Sequence, residues 1–283
     1  MRNSVIVRED ENFELMLQYA AKAGFKEVSI GLSETEFFMQ SDYRDRIDKM
    51  KELLDKYGLI CTQTHLPCYA LLDSSEIIHE ETELAIKRCI EESARLGATW
   101  AAYHPRTDIT SGWHRTKSFE ANKEFLKSYL EVAEKFGVGL GVENMPLYPN
   151  SSPQWRFFGG GYEELCELCD VLNSDKIGIC WDTGHAHTAA LEQIYAIREM
   201  GERLKITHVH DNYMVGDHHQ LPAIGGRNWG CADWPGIIGG LKEIHYEGAL
   251  TLELRFPPLS MCESFMKLAY DCLDYLKTLE YTQ

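Results

Sequence analysis

The chain has 283 residues, with 28 Lys+Arg against 44 Asp+Glu and a formal net charge of −16. That balance repels polyanions unless basic residues gather locally, and no such cluster occurs, so nucleic acid is not an expected partner. No run of roughly 18 apolar residues is present, and the opening stretch MRNSVIVREDENF carries neither a long apolar core nor a cleavage-like site, so export and membrane spanning are not expected.

The nine cysteines form an odd set, mostly within helical or buried-strand patterns, which favours reduced thiols and a cytoplasmic protein. Cys166 and Cys169 make a C-x-x-C, but both fall in the helical stretch GYEELCELCDVL with no second pair at zinc-site spacing.

In chain order, the apolar run Val5 to Val7 precedes ENFELMLQYAAKAG, whose apolar residues recur at helical spacing up to Gly24. The same two-part phrase then repeats. EVSIGL leads to a helix near RDRIDKMKELLDKYG, LICTQTH to EIIHEETELAIKRCIEESARLG, TWAAYH to FEANKEFLKSYLEVAEKFG, and VGLGVEN to GYEELCELCDVL. KIGICWD leads to a helix near ALEQIYAIREM, RLKITHVHD to one near WPGIIGGLKEI, and GALTLEL to the closing helix near CESFMKLAYDCLDYLKTL. These eight strand-helix units leave no segment for a second domain, so residues 1–283 read as one α/β domain, a (β/α)8 TIM barrel of the usual size of about 250 residues. Five helices end at a glycine (Gly24, Gly58, Gly97, Gly137, Gly201), as short turns back into a parallel sheet require. An open doubly wound sheet fits less well, because no Gly-rich turn follows the first strand. The longest connections, 66–75, 105–117, 145–161 and 212–233, all follow strands, on the face where barrel enzymes carry their sites.

Six successive strands end in an acid or an imidazole: His65, His104, Glu143, Asp182, His208 and Glu253. A closed barrel converges these ends on one mouth, roughly the width of a sugar. Three carboxylates so confined repel one another and take up protons unless a divalent cation compensates them. Residues two apart share a face, so Gly139 and Gly141 lie inward beneath Glu143, Gly178 and Cys180 beneath Asp182, and Ala102 beneath His104, leaving room for a ligand set above. His185 and the pair Asp217 and His219 add to the ring. His187, His210 and His218 read as bystanders, His79, His114 and His245 as surface residues, and Asp211 as a turn residue pointing away from His208.

These phrases, THLPCY, YHP, VEN, WDTGH, HVHDN, GDHHQLP and LTLEL, resemble those of the xylose isomerase-like TIM barrels over nearly the whole chain. That superfamily includes sugar phosphate isomerases and epimerases, inosose-type dehydratases and the endonuclease IV branch (AP endonuclease family 2). In the isomerase and epimerase branch, the resemblance implies one metal, commonly manganese, at Glu143, Asp182, His208 and Glu253. In endonuclease IV it implies three zinc ions on those four together with His65, His104, His185, Asp217 and His219. Two features depart from these branches. HVHDNYMVGDHH lacks the arginine-bearing phrase usual in ketose 3-epimerases, and a charge of −16 suits a small molecule better than DNA.

The expectation is therefore a metal-dependent isomerase or epimerase acting on a sugar, sugar phosphate or polyol, holding manganese, zinc or magnesium at one site, with donors enough for two or three. Glu143 and Glu253 would transfer the proton next to a carbonyl, while His185 and Arg255 would bind substrate. Arg115 and Arg227 are further anion-binding candidates, and Trp113, Trp155, Trp181 and Trp229 candidate walls over a sugar ring. The alternatives are a zinc phosphoesterase, a lyase expelling water from a keto-polyol, and a barrel that only binds its ligand. A homo-oligomer is left open.

Overall fold

The computed structural model describes residues 1–68, 71–72, 76–108, 115–147, 156–223 and 231–281. In chain order the elements are β1 (Arg2–Arg8), α1 (Phe13–Ala23), β2 (Glu27–Gly31), α2 (Thr35–Met39), α3 (Tyr43–Tyr57), β3 (Ile60–His65), β4 (Leu71–Leu72), α4 (Glu76–Leu96), β5 (Trp100–Tyr103) and β6 (Thr107–Asp108). There follow α5 (Arg115–Phe136), β7 (Gly139–Glu143), α6 (Tyr162–Leu172), β8 (Ile177–Asp182), α7 (Thr183–Thr188), α8 (Gln193–Met200), β9 (Leu204–Val209), α9 (Trp234–Glu243), β10 (Ala249–Leu252) and α10 (Leu259–Lys277).

Eight strands close into a parallel barrel in the order β1-β10-β9-β8-β7-β5-β3-β2. Closure is made where Arg2 pairs with Ala249 and Val5 with Leu252. This is the (β/α)8 barrel expected from the repeat. Three additions were not legible as periodic segments: the two-residue strands β4 and β6, which pair in parallel, the short helix α2, and α7, which follows β8 immediately.

Strand residues divide cleanly between two environments. Val5, Val7, Val28, Ile30, Leu140, Val142, Ile179 and Leu252 point outward into one large apolar cluster shared with the helices. Gly24 shows why the helices stop where they do. At φ 116° it adopts the left-handed turn that a side chain resists, and its N–H reaches Ala20 O and Ala21 O, satisfying the last carbonyls of α1. Gly58, Gly97, Gly137 and Gly201 also have positive φ.

The inward face is a separate small cluster of Ala102, Cys180 and Ile206, with Trp100 against it. The small residues beneath the acids do face inward, but the room they leave is filled rather than open. A Cβ on Gly139 would lie 2.4 Å from the Trp100 ring, and one on Gly141 would lie 2.9 Å from Ile206. The glycines admit a tryptophan and an isoleucine that form the floor of the site. Gly139→Ala is expected to overpack this floor and to destabilise the protein by about 1–3 kcal/mol in chemical denaturation, with the denaturant dependence unchanged; stability equal to the parent chain would show that Trp100 does not fill the barrel.

Candidate functional site

His65, Glu143 and Asp182 are the last residues of β3, β7 and β8; His104 and Glu253 follow β5 and β10 by one residue, and His208 lies within β9. Pairing sets their common level, with Asp182 opposite His208 and Thr251, two residues before Glu253, opposite His208 on its other side. All six strand-end residues therefore meet at the mouth, as their spacing predicts.

Glu143 lies at the centre, fully buried. Its Oε1 is 3.0 Å from His208 Nδ1, and its Oε2 is 3.2 Å from His104 Nε2 and 3.4 Å from His65 Nε2. His208 Nδ1 is also 3.1 Å from Glu253 Oε2, so one imidazole nitrogen stands between two carboxylates. One donor atom from each of Glu143, Asp182, His208 and Glu253 falls within 4.8 Å of the others. Glu143 Oε2 and Asp217 Oδ1 are buried without a hydrogen-bond partner. Donors that converge while leaving such atoms unsatisfied suit a cation.

Asp182 has two duties. It caps α7 by accepting from His185 N at 2.6 Å, and it contributes to the four-donor cluster. The cap brings the His185 imidazole to the mouth, where Nδ1 donates to Asn144 O at 2.7 Å and Nε2 is 3.6 Å from Asp217. Asn144 clamps the two loops, donating to Asp182 O at 2.9 Å and accepting from Asp182 N at 2.6 Å. His219 Nε2 is 2.7 Å from Asp217 and its Nδ1 donates to Glu253 O at 3.1 Å, which closes the ring.

Four contributors were missed from sequence. His210, taken for a bystander, has Nε2 at 3.0 Å from Asp182 Oδ1 and 3.5 Å from Asp217 Oδ1; its position two residues after His208 was the available signal. Arg8 ends β1 with a guanidinium nitrogen 4.0 Å from Glu253, because β1 runs past the apolar core at Val5 to Val7. Asn144 follows Glu143, and Cys68 joins His65 and His104 in another donor group.

Other candidates fall elsewhere. Trp181 is fully buried and donates to Gln193 Oε1 at 3.0 Å, so it is a packing residue and not a wall over substrate. Arg115 is paired instead with Glu164 and Glu167 on α6. Arg255 is exposed and lines a cavity beside Glu253. His245 is exposed, and among the described residues neither His187 nor His218 joins a donor group. Trp113, His114, Trp155, Arg227, Trp229 and the His79 side chain lie outside the described residues. Cys166 and Cys169 are free thiols pushed up by burial to about 11 and 12.

The charges balance internally. Burial alone would discharge the histidines, but Cys68 and Glu143 outweigh it at His104, raised to about 9, and at His65, raised well above the usual imidazole range, while Cys180, Glu143 and Glu253 do the same for His208. His185 rises to about 10 against the same burial, drawn by Asp182, Asp217 and Glu143. Burial likewise pushes Glu143 and Glu253 upward, and the adjoining imidazolium charges reverse it, so both sit well below the usual carboxylate range. Desolvation raises the Cys68 thiol, yet His104 and His65 bring it down to about 5.

Asp211 turns away from the mouth, as expected, and organises the loop that carries Asp217 and His219. It accepts from Asn212 N, Ala223 N, Ala232 N and Trp234 Nε1 at 2.8–3.2 Å. Asp211→Ala strands these donors and is expected to cost about 2–4 kcal/mol, with faster amide exchange across residues 211–223; unchanged exchange there would show that the loop is held by something else.

The sequence model described as "Xylose isomerase-like TIM barrel" matches residues 17–269. Among relatives, an uncharacterized protein of Methanocaldococcus jannaschii is 29% identical over 213 residues, covering 73% of this chain and 68% of that protein. A probable endonuclease 4 of Staphylococcus aureus is 26% identical over 187 residues, covering 59% of this chain and 57% of that protein. A crystal structure of a D-tagatose 3-epimerase-like protein superposes with a TM-score of 0.76 at 22% identity, covering 98% of each chain, a likeness of fold. No helix among the described residues is long and apolar enough to cross a membrane.

Proposed function

This chain belongs to the xylose isomerase-like TIM barrel family, and from that premise we propose that it is a divalent-metal-dependent isomerase or epimerase moving a proton next to the carbonyl of a sugar or related polyol. One observation carries the reading: Glu143 and Glu253 flank a single nitrogen of His208 at 3.0 and 3.1 Å, within a four-donor cluster completed by Asp182. Paired carboxylates that share a cation yet approach from different strands suit removal of a proton on one side of a carbon and its return on the other. The solved D-tagatose 3-epimerase-like protein shares the fold, which agrees with this class of reaction.

Glu143, Asp182, His208 and Glu253 would hold the ion. When bound, it supplies a Lewis acid's positive charge to neighbouring substrate oxygens. The remaining work falls to side chains. Glu253, whose Oε1 is turned away from His208, lines the cavity and takes or returns a proton; Glu143 acts from β7, three strands round the barrel. His185, its Nδ1 proton committed to Asn144, presents Nε2 to a substrate hydroxyl. The cavity, about 620 Å³, lies between β1, β10 and the first turns of α1 and α10, lined by Arg8, Asp10, Asn12, Glu253, Arg255 and Phe256, and it meets the donor ring at Glu253 rather than at Glu143 or His185. That volume accepts a monosaccharide, and the two arginines suit a phosphate or carboxylate substituent.

The donors outnumber the needs of one ion, because Asp182, His185 and His210, and His210, Asp217 and His219, also cluster. This favours a second reading, hydrolysis of a phosphoester at several zinc ions. The relative called probable endonuclease 4 points the same way, and the charge of −16 opposes a DNA substrate.

In deuterated water, the manganese-loaded protein is expected to exchange one carbon-bound proton of a ketose or keto-polyol, and Glu143→Gln and Glu253→Gln to lower that rate by about 10²–10⁴-fold. Parental exchange in either variant removes that residue as a base; phosphodiester cleavage without any sugar exchange replaces the isomerase reading with the hydrolytic one.

The raised His208 also sets a pH dependence. At neutral pH its ring carries a proton that the ion must displace, so binding should release protons and tighten as pH rises. Calorimetry in two buffers of different ionisation heat checks this, and proton uptake on binding would contradict it.

A further inference from the structure

Among the described residues, the two arginines without a close partner both line the cavity beside Glu253. Every other described arginine has a nitrogen at hydrogen-bond distance from a carboxylate or carbonyl oxygen, as Arg44 has from Glu92, Arg95 from Asp48 and Arg198 from Glu243. Arg8 has one ion pair, to Glu253 at 4.0 Å, and the Arg255 side chain has neither an ion pair nor a hydrogen bond. In a chain with 44 Asp+Glu against 28 Lys+Arg, two guanidinium groups left over in one cavity are not accounted for by the fold.

The backbone fixes where they enter. β1 and β10 are paired neighbours, Arg8 ends the first and Arg255 lies shortly beyond the second, where its N–H donates to His219 O at 3.0 Å. α1 and α10 both begin at this cavity, and neither has a side chain capping its first turn, so their leading N–H groups add partial positive charge.

The opposing charge is limited. Asp10 also lines the cavity, with Oδ1 accepting from Asn12 N at 2.7 Å, while Glu253 is committed to His208 through Oε2 at 3.1 Å. Two guanidinium groups against the Asp10 carboxylate leave a surplus of one positive charge. The remaining wall is largely apolar, with Ile6, Met16, Phe256 and Leu259. These surroundings match a monoanion whose planar oxygens fit a guanidinium, whereas a phosphate dianion would lose more hydration and face Asp10 as well.

We propose that the cavity takes the carboxylate end of the substrate, so that the chain acts on a keto sugar acid in preference to a neutral or phosphorylated sugar, with Arg8 and Arg255 setting that specificity. This names the substrate class of the site proposed above and rests on Glu253 being its base. Because the cavity meets the donor ring at Glu253, the carboxylate lies at the end of the substrate away from the reacting carbon. Its contacts are the same before and during proton transfer, so they act on KM and not on kcat.

The manganese-loaded protein is assayed for carbon-bound proton exchange on three matched ketoses, ending in a hydroxyl, a carboxylate or a phosphate. The carboxylate is expected to have the highest kcat/KM, about 10²-fold above the neutral ketose, and Arg8→Gln or Arg255→Gln to raise its KM about tenfold or more with kcat kept and the neutral ketose unaffected. Asp10→Asn keeps an acceptor for Asn12 N and raises the surplus to two, so it should narrow the gap between carboxylate and phosphate. Equal kcat/KM for the carboxylate and neutral ketoses, or a parent chain that prefers phosphate, overturns the proposal and leaves the isomerase reading standing. Should none of the three exchange a proton, that reading fails by itself, and calorimetry of the metal-free protein with an aldonate that has no keto group decides the cavity. Aldonate binding that is lost when Arg8→Gln and Arg255→Gln are combined upholds the carboxylate site; no binding, or binding that survives both substitutions, overturns it.

Discussion

A fully buried carboxylate must find positive charge or give up its own, and Glu143 is where this chain meets that constraint. One of its oxygens faces His208 and the other faces His65 and His104, so three strands direct imidazoles at a single residue. Their protons supply the charge in the protein by itself, and a cation at the same atoms would supply it in their place. The rest of the mouth is arranged around this exchange. Asp182 is fixed as a helix cap, His210 and His185 are held against Asp182 and Asp217, and Asp211 secures the loop that brings Asp217 and His219 over the top.

The barrel and most of its ring were legible in the sequence for two physical reasons. Strand alternation forces residues two apart onto one face, and helices that return to a parallel sheet must end in a left-handed turn that glycine adopts cheaply. Glu143, Asp182 and His208 followed from the first rule, and the phrase boundaries at Gly24, Gly58, Gly97 and Gly137 from the second. What escaped lay where those rules stop. Arg8 stands at the polar end of a strand recognised only by its apolar middle. Cys68 is in the irregular chain after β3, where period gives no direction, and His210 lies just past the end of β9, where only the alternation carried on from His208 points it inward. Trp100 was read as part of a strand, but nothing in its spacing showed that its ring would fill the volume above Gly139.

The two readings of the site differ in what they require of the same donors. Proton transfer next to a carbonyl needs two carboxylates and one ion to polarise the oxygens, and the proposed reading takes the pair flanking His208 as the carboxylates. Phosphoester hydrolysis needs further ions and a way to meet a polyanion. The clusters around Asp182 and Asp217 provide donors for the first of these needs, while the overall charge works against the second when the substrate is a nucleic acid. A small anion at Arg8 and Arg255 raises no such conflict, because two guanidinium groups act locally where the net charge acts at a distance.

The short parallel pairing of Leu71 with Thr107 and Leu72 with Asp108 bears on how a ligand arrives. It stitches the segment beyond His65 to the segment beyond His104. On the other side of the ring, no such pairing occurs above β1 and β10 among the described residues, and there the open cavity reaches Glu253. The rim is thereby tied together on its imidazole wall and hollowed on its arginine wall.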